Sequence, residues 1–328
     1  MRVTLILTFL SIGFGFAGYV LIDLSTNSPG KNKNPTIIIV QPGDGDNTIS
    51  WKLYRNKIIT TRAQYFLAKY STRKAFVPKI GEYEIPPYAT LSEAMAILQT
   101  GVSLQHKVTF PEGLTSEKFV SILNNAPYMK EQIIIIPEEG SLFPDTYFYT
   151  RGMSRQNILD RASQNLELKL GELWANRKHD LPIKSPREAL ILASIVEQET
   201  AKPVERSIVA SVFINRLRLK MPLQSDPTVI YGLKKKGIVP KRLLRKHLKQ
   251  EHEWNTYMFR GLPKTPISNP GFASIQAVLD PALTDYLYFV ADGLGGHRFA
   301  KTLDEHNINV RQYRKIIASK KEKGASIK

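Results

Sequence analysis

Hydrophobic positions in this chain fall into three regimes, and the first is a run with no charge at all. From Val3 to Ile22, Thr4, Thr8 and Ser11 are the only clearly polar side chains. At about 1.5 Å per helical residue the run matches a hydrocarbon core of about 30 Å, so it predicts a transmembrane helix within residues 1–24. A cleaved signal peptide is the competing reading. Its apolar core is usually shorter and closes on a small-x-small site, whereas this run continues through Tyr19-Val-Leu-Ile-Asp23. Arg2 precedes the span and Lys31 and Lys33 follow it, so charge alone does not orient it. The orientation taken is a short internal stub with the large domain outside.

The second regime alternates short β-prone runs with amphipathic stretches. Residues 25–35 are polar, rich in turn formers and aperiodic, which reads as a linker. Three units follow, each a β-prone run, a proline turn and a helix. They are Ile37–Gly43 leading to Ile49–Tyr54, Gly81–Pro86 leading to Leu91–Leu98, and Val108–Gly113 leading to Phe119–Leu123. Thr90 and Glu93 have capping-box spacing, and Leu91, Ala94, Ile97 and Leu98 then share one face. Ala63–Tyr70 reads as another short amphipathic helix. Residues 36–105 are therefore expected to form a small α+β module, either carbohydrate-binding or a simple spacer.

The third regime begins at Pro186. Ala189-Leu-Ile-Leu-Ala-Ser-Ile-Val196 is apolar all round apart from Ser194 and predicts a buried helix limited by Pro203. Val204–Leu219 predicts an amphipathic helix with Val209, Val212, Phe213 and Leu217 toward the core. Gln224–Thr228 reads as a turn, with a basic run from Lys234 to Lys249 after it. Tyr286–Ala291 and His297–Ala300, joined by Asp292-Gly-Leu-Gly-Gly296, read as a hairpin, and a helix around Asn307–Ser319 closes the pattern.

Composition narrows the chemistry. The 328 residues carry a formal net charge of +17 and no cysteine. The charge calls for a polyanionic neighbour, whether nucleic acid, an anionic lipid surface or a cell wall with acidic peptide stems. The missing cysteine removes disulfides, thiolate metal sites and a thiol nucleophile together. The six histidines show no ligand spacing, so no metal is expected. There is no Walker loop and no G-x-G-x-x-G after a strand. The basic run lacks interleaved aromatics for stacking on bases, so nucleic acid is not the expected partner.

Glu197 is the residue that invites chemistry. It follows the buried helix and, at i, i+3, i+7 spacing, shares a face with Leu190, Ala193 and Ser194. Burial and the helix C-terminus both disfavour its anion, and a glutamic acid that keeps its proton near neutrality can serve as a general acid. The alternative is a structural carboxylate neutralised by Arg206 or Arg216 on the next helix. Glu199 lies about 200° further round the helix and reads as a solvated or capping residue.

Several long segments carry a resemblance. Ile191–Ala201, Ser211–Leu217, Leu223–Gly232, Asn255-Thr-Tyr257 with Gly261-Leu-Pro263, and Tyr286–Gly293 with Gly296-His297 resemble the endolytic murein transglycosylases, also called YceG-like proteins. The resemblance runs from the apolar segment to about residue 315. Gly81–Ile85, Pro111-Glu-Gly113 and Leu142–Tyr147 are similar to that family's LysM-like module and the start of its catalytic domain. Lys234–Trp254 is more basic than the family pattern, and Trp254 stands where a tyrosine often precedes Asn-Thr-Tyr.

The fold this implies is α+β: a transmembrane helix (1–24), a linker (25–35), a LysM-like module (36–105) and a mixed α+β catalytic domain (106–328). The function implied is cleavage of the bond between N-acetylmuramic acid and N-acetylglucosamine in nascent glycan, leaving 1,6-anhydro ends and terminating strand elongation. Glu197 would be the single catalytic carboxyl. Gln224, Ser225, Asp226, Thr228, Asn255, Thr256 and Tyr257 would hold substrate by motif position, with a turn capped by Asp226 as the structural alternative. No cofactor is implied. The implied partners are peptidoglycan strands and the cytoplasmic membrane, with peptidoglycan synthases as further candidates. The location is the cytoplasmic membrane with an extracytoplasmic domain. A non-catalytic peptidoglycan-binding scaffold is the alternative. The older label aminodeoxychorismate lyase needs a Schiff-base lysine and does not fit the glutamate motif.

Overall fold

The computed structural model describes residues 20, 22–71 and 76–325. Two compact units divide the chain. One holds residues up to Lys107 with Phe148–Met153, and the other holds Val108–Tyr147 and everything from Ser154.

In the first unit β1 (Thr36–Val40) pairs antiparallel with β2 (Gly81–Ile85), and α1 (Asp46–Arg55) and α2 (Arg62–Ser71) lie between them in sequence. The alternation that predicted the strands decides their faces. Ile38 and Val40 turn inward with Tyr83 and Ile85 and meet Ile49, Leu53 and Tyr65 in one core. After β2, α3 (Leu91–Thr100) starts on the expected capping box. Thr90 Oγ1 accepts from the Glu93 N–H at 3.2 Å, and Glu93 Oε2 accepts from the Thr90 N–H at 2.8 Å. Glu82, buried in this unit, accepts from Arg151 Nη2 at 2.9 Å and lies 2.6 Å from His106 Nε2. Against the effect of burial, these two contacts hold its carboxyl below the ordinary range.

β3 (His106–Thr109) and β4 (Thr146–Tyr149) form a second two-stranded sheet. The second unit is mainly helical. α4 (Ser116–Asn125) and α5 (Arg155–Ala175) precede α6 (Pro186–Glu199), the buried helix around which this unit is built. α6 has a capped start: Ser185 Oγ accepts from the Glu188 N–H at 3.2 Å, and Pro186 occupies the first turn, where its missing N–H costs nothing. All eight residues from Ala189 to Val196 are buried.

A 3₁₀ turn (Pro203–Glu205) leads into α7 (Arg206–Arg218). Then come α8 (Asp226–Lys235), the short α9 (Arg245–Leu248) and α10 (Phe272–Leu279). α6 packs against α5, α7, α8 and α10. The expected hairpin is present as β5 (Tyr288–Ala291) and β6 (His297–Ala300), followed by α11 (Leu303–Ala325). Gly293 (φ 77°) and Gly295 (φ 91°) supply the left-handed conformations its loop needs.

Two expectations are corrected. The structure is mixed α and β, but among the described residues no helix is long and apolar enough to cross a membrane, so the transmembrane helix drops out of the fold class. Most of residues 1–24, where that helix was expected, lie outside the described residues. Second, Gln224–Thr228 is not a free turn capped by Asp226. Ser225 is the N-cap residue of α8, and Asp226 and Pro227 form its first turn. Proline at the start of a helix and an acidic residue in the first turn both favour that start.

Candidate active site

Glu197 closes the last turn of α6, and its side chain keeps only 6% of its surface. Three groups surround the carboxyl. The Gly271 N–H donates to Oε2 at 2.9 Å, Arg206 Nη2 stands 3.5 Å from Oε1, and the same nitrogen stands 3.4 Å from Glu112 Oε2. Two carboxylates thus share one guanidinium. Burial, with the charge of Glu197 adding to it, pushes the Glu112 carboxyl above its ordinary range, and Arg206 opposes this.

Each partner is placed by a short chain of contacts. Ser194, one turn before Glu197, donates through Oγ to Ile191 O at 2.7 Å and accepts from the Ile267 N–H at 3.0 Å. Asn269 is fully buried. Its Nδ2 donates to Leu114 O at 3.0 Å, and its Oδ1 accepts from the Leu142 N–H at 2.9 Å. The Gly113 N–H donates back to Asn269 O at 2.9 Å. The loop carrying Glu112 and the loop ending at Gly271 are therefore bolted together beside α6. A Cβ at Gly271 would stand 1.8 Å from Glu112 Oε1, so the observed position of the Glu112 carboxyl depends on glycine here.

Of the two arginines considered for Glu197, Arg206 approaches it and Arg216 does not. Arg216 is buried and donates to Leu287 O at 2.6 Å and Leu223 O at 2.7 Å.

The expected substrate-binding residues gather around Glu199. Ser225 Oγ donates to Glu199 Oε1 at 2.6 Å instead of capping α8, and the Ser225 N–H donates to Thr256 Oγ1 at 3.0 Å. Thr228 Oγ1 donates to Ser225 O at 2.6 Å and lies 2.9 Å from Thr256 Oγ1. Asn255 Nδ2 donates to Leu248 O and Gln250 O, and its Oδ1 accepts from the Tyr257 N–H at 3.0 Å. Ser225, Thr228, Asn255 and Thr256 are buried and spend their polar atoms on this framework. Gln224 and Asp226 are exposed, and Tyr257 is partly so. Gln224 adopts a left-handed φ of 50°, and its N–H donates to Thr256 O at 3.1 Å. Tyr257 Oη donates to Asp226 Oδ1 at 2.6 Å. Burial and that carboxylate push the phenol above its ordinary range.

Glu199 is accordingly neither a cap nor a solvated residue. Burial pushes its carboxyl up to about 7, and Asp226 adds to the push while Ser225 and Arg216 oppose it. Glu112 and Gly271, which meet Glu197 in space, come from segments that sequence reading gave no chemical role. Among the described residues no group of acidic, histidine or cysteine side chains could hold a metal ion.

Chemically, the arrangement offers a shielded carboxyl able to exchange a proton, a second carboxyl beside it, and a fixed cation and N–H donor to hold charge. Residues 38–312 match the model of the YceG-like family. Over 224 residues the chain is 37% identical to the endolytic murein transglycosylase of Bacillus subtilis strain 168, which covers 67% of this chain and 56% of that protein. It is 28% identical over 267 residues to the endolytic murein transglycosylase of Streptococcus pneumoniae serotype 2 strain D39, covering 75% of this chain and 47% of the relative. The chain thus spans about half the length of these relatives. A crystal structure of a YceG-like protein from Listeria monocytogenes superimposes with a TM-score of 0.50 at 29% identity, covering 84% of this chain and 99% of that one.

Proposed function

The chain belongs to the YceG-like family, and from that premise we propose that it is a lytic transglycosylase acting within peptidoglycan glycan strands, with Glu197 as its proton-transferring carboxyl. The single observation carrying this reading is the enclosed Glu197 carboxyl at the end of α6, held by the Gly271 N–H and facing Glu112 and Arg206. The names of the related proteins support the reaction class.

Glu197 gives its proton to the oxygen linking N-acetylmuramic acid to N-acetylglucosamine, and the glucosamine-bearing part leaves with a free hydroxyl. Positive charge builds on the muramyl ring. The Glu197 carboxylate then takes the proton of that ring's C6 hydroxyl as its oxygen bonds to C1, closing a 1,6-anhydro bridge. One carboxyl acts first as acid and then as base, and no water is consumed, so the water-placing carboxylate of ordinary glycosidases has no task here. Gln224, Asp226 and Tyr257, the accessible members of the polar group around Glu199, are the proposed sugar contacts. The reaction takes place outside the cytoplasmic membrane, where the polymer lies, and cutting nascent strands would end their elongation beside the synthases that make them.

The test is to incubate the full chain with uncrosslinked glycan and read strand ends by mass spectrometry. Anhydro-muramyl ends that accumulate with time are the expected result. Strands that are bound yet keep their length would replace catalysis with docking.

A further inference from the structure

Next to the end of α6 that carries Glu197 opens a cavity of about 610 Å³, which Gln198, the residue after the acid, lines. Its near edge is formed by Gly113 and Gln198, whose Nε2 donates to Gly113 O at 2.8 Å. Gly113 lies against the acid itself, since a Cβ there would stand 3.4 Å from Glu197 Cγ. The facing walls come from α4 and α8. Lys118, Lys234 and Lys235 line them as exposed side chains, and Glu117 is the carboxylate among them. Lys235 Nζ stands 5.3 Å from the centroid of the Tyr231 ring, and Tyr231 Oη donates to Glu139 Oε2 at 3.1 Å, so this ammonium is kept at the wall. The chain that follows is basic too, with no acidic residue between Asp226 and Glu251.

Three ammonium groups contribute little to a chain of neutral sugars. The muramyl ring, however, carries a peptide stem on the lactyl ether at C3, two carbons from the C1 at which the bond breaks. A stem leaving that ring has this cavity within reach, since Gly113 at its edge packs on the side chain of the acid. Its chemistry is carboxylates together with the free amine of a diamino acid. A polyphosphate surface would suit the lysines but would be repelled by Glu117, whereas a ligand of mixed sign uses both.

We propose that this cavity is a subsite for the acidic peptide stem of the muramyl residue, with Lys118, Lys234 and Lys235 receiving its carboxylates and Glu117 its amine. The assignment rests on the reading of Glu197 as the acting acid, which fixes the ring from which the stem departs.

The test uses the full chain carrying Glu197→Gln, so that glycan is not consumed. Binding is measured for uncrosslinked glycan with stems and for the same glycan stripped of them by an amidase. A few exposed ion pairs give about a tenfold preference for the stem-bearing polymer. Adding Lys118→Ala, Lys234→Ala and Lys235→Ala together should bring that ratio close to one, and the three Lys→Arg changes should restore it. Equal binding of both glycans by the parent, or binding of neither, overturns the subsite. So does an unchanged ratio in the alanine variant, or a loss that strikes both glycans alike, which would assign the lysines to a general polyanion surface. Because binding is the readout, a failure to form anhydro ends would sink the enzymatic reading separately.

Discussion

The backbone N–H of Gly271 donates to Glu197 Oε2 at 2.9 Å across 74 positions of sequence, so the acid is oriented by a main-chain group that no side-chain substitution removes. Glutamine at position 197 keeps an oxygen to accept that bond and loses the transferable proton. Glu197→Gln should therefore lower strand cleavage by at least about 10²–10⁴-fold while leaving the thermal melt nearly in place. Cleavage at the wild-type rate would remove Glu197 from the chemistry.

Gly271→Ala probes the same contact from the other side. With φ at −79°, the backbone accepts alanine without strain, so any effect comes from the added methyl, which would stand 1.8 Å from Glu112 Oε1. Glu112 is half-exposed and can swing away, so folding should lose little. Displacing a group beside the reacting centre by an ångström can cost about 10² in rate. The expected outcome is a fall of that order in kcat/KM with a nearly unchanged melting temperature, and full activity would show that Glu112 is a bystander.

What could be read in advance was whatever local pattern controls. The eight-residue apolar run of α6, the Thr90–Glu93 capping box and the β5–β6 hairpin each follow from neighbours in sequence, and each was legible. The start of α8 was missed because Gln-Ser-Asp-Pro was weighed as turn formers, although proline and aspartate also open helices. Glu112 could not be found that way. It reaches Arg206 across 94 positions, and long-range contacts through Asn269 and Gln198 bring its loop to Glu197. Glu199 was misjudged because rotation about α6 points it away from Glu197, which was taken to mean solvent. The N-terminus of α8 and Ser225 cover that face instead.

Glu199 gives a prediction with a definite sign. Its folded carboxyl is raised from 4.5 to about 7, so between those values the folded state holds a proton that the unfolded chain has released. This contribution is fully present below the unfolded value and is lost as pH rises through 7. At about 1.4 kcal/mol per pKa unit the loss is on the order of 3 kcal/mol. Glu199→Gln abolishes the titration, so its stability relative to wild type should improve by that order between pH 4 and pH 8 in denaturant unfolding. A difference that does not vary with pH would mean the carboxyl titrates normally.

Arg206 can be separated into an orienting role and a tuning role. Its Nη2 lies 3.4 Å from Glu112 and 3.5 Å from Glu197, and it is the cation opposing the upward push on the Glu112 carboxyl. Arg206→Ala removes that opposition, so Glu112 should hold its proton to higher pH. If the ionisation of Glu112 shapes the pH–rate profile, the corresponding limb must then move to higher pH, and Arg206→Lys, which keeps the positive charge, must move it less. A profile that falls in height without moving along the pH axis in both variants would mean that the guanidinium only fixes geometry. The lysine variant decides between the two, because it preserves charge while giving up the planar fork that can face two carboxylates at once.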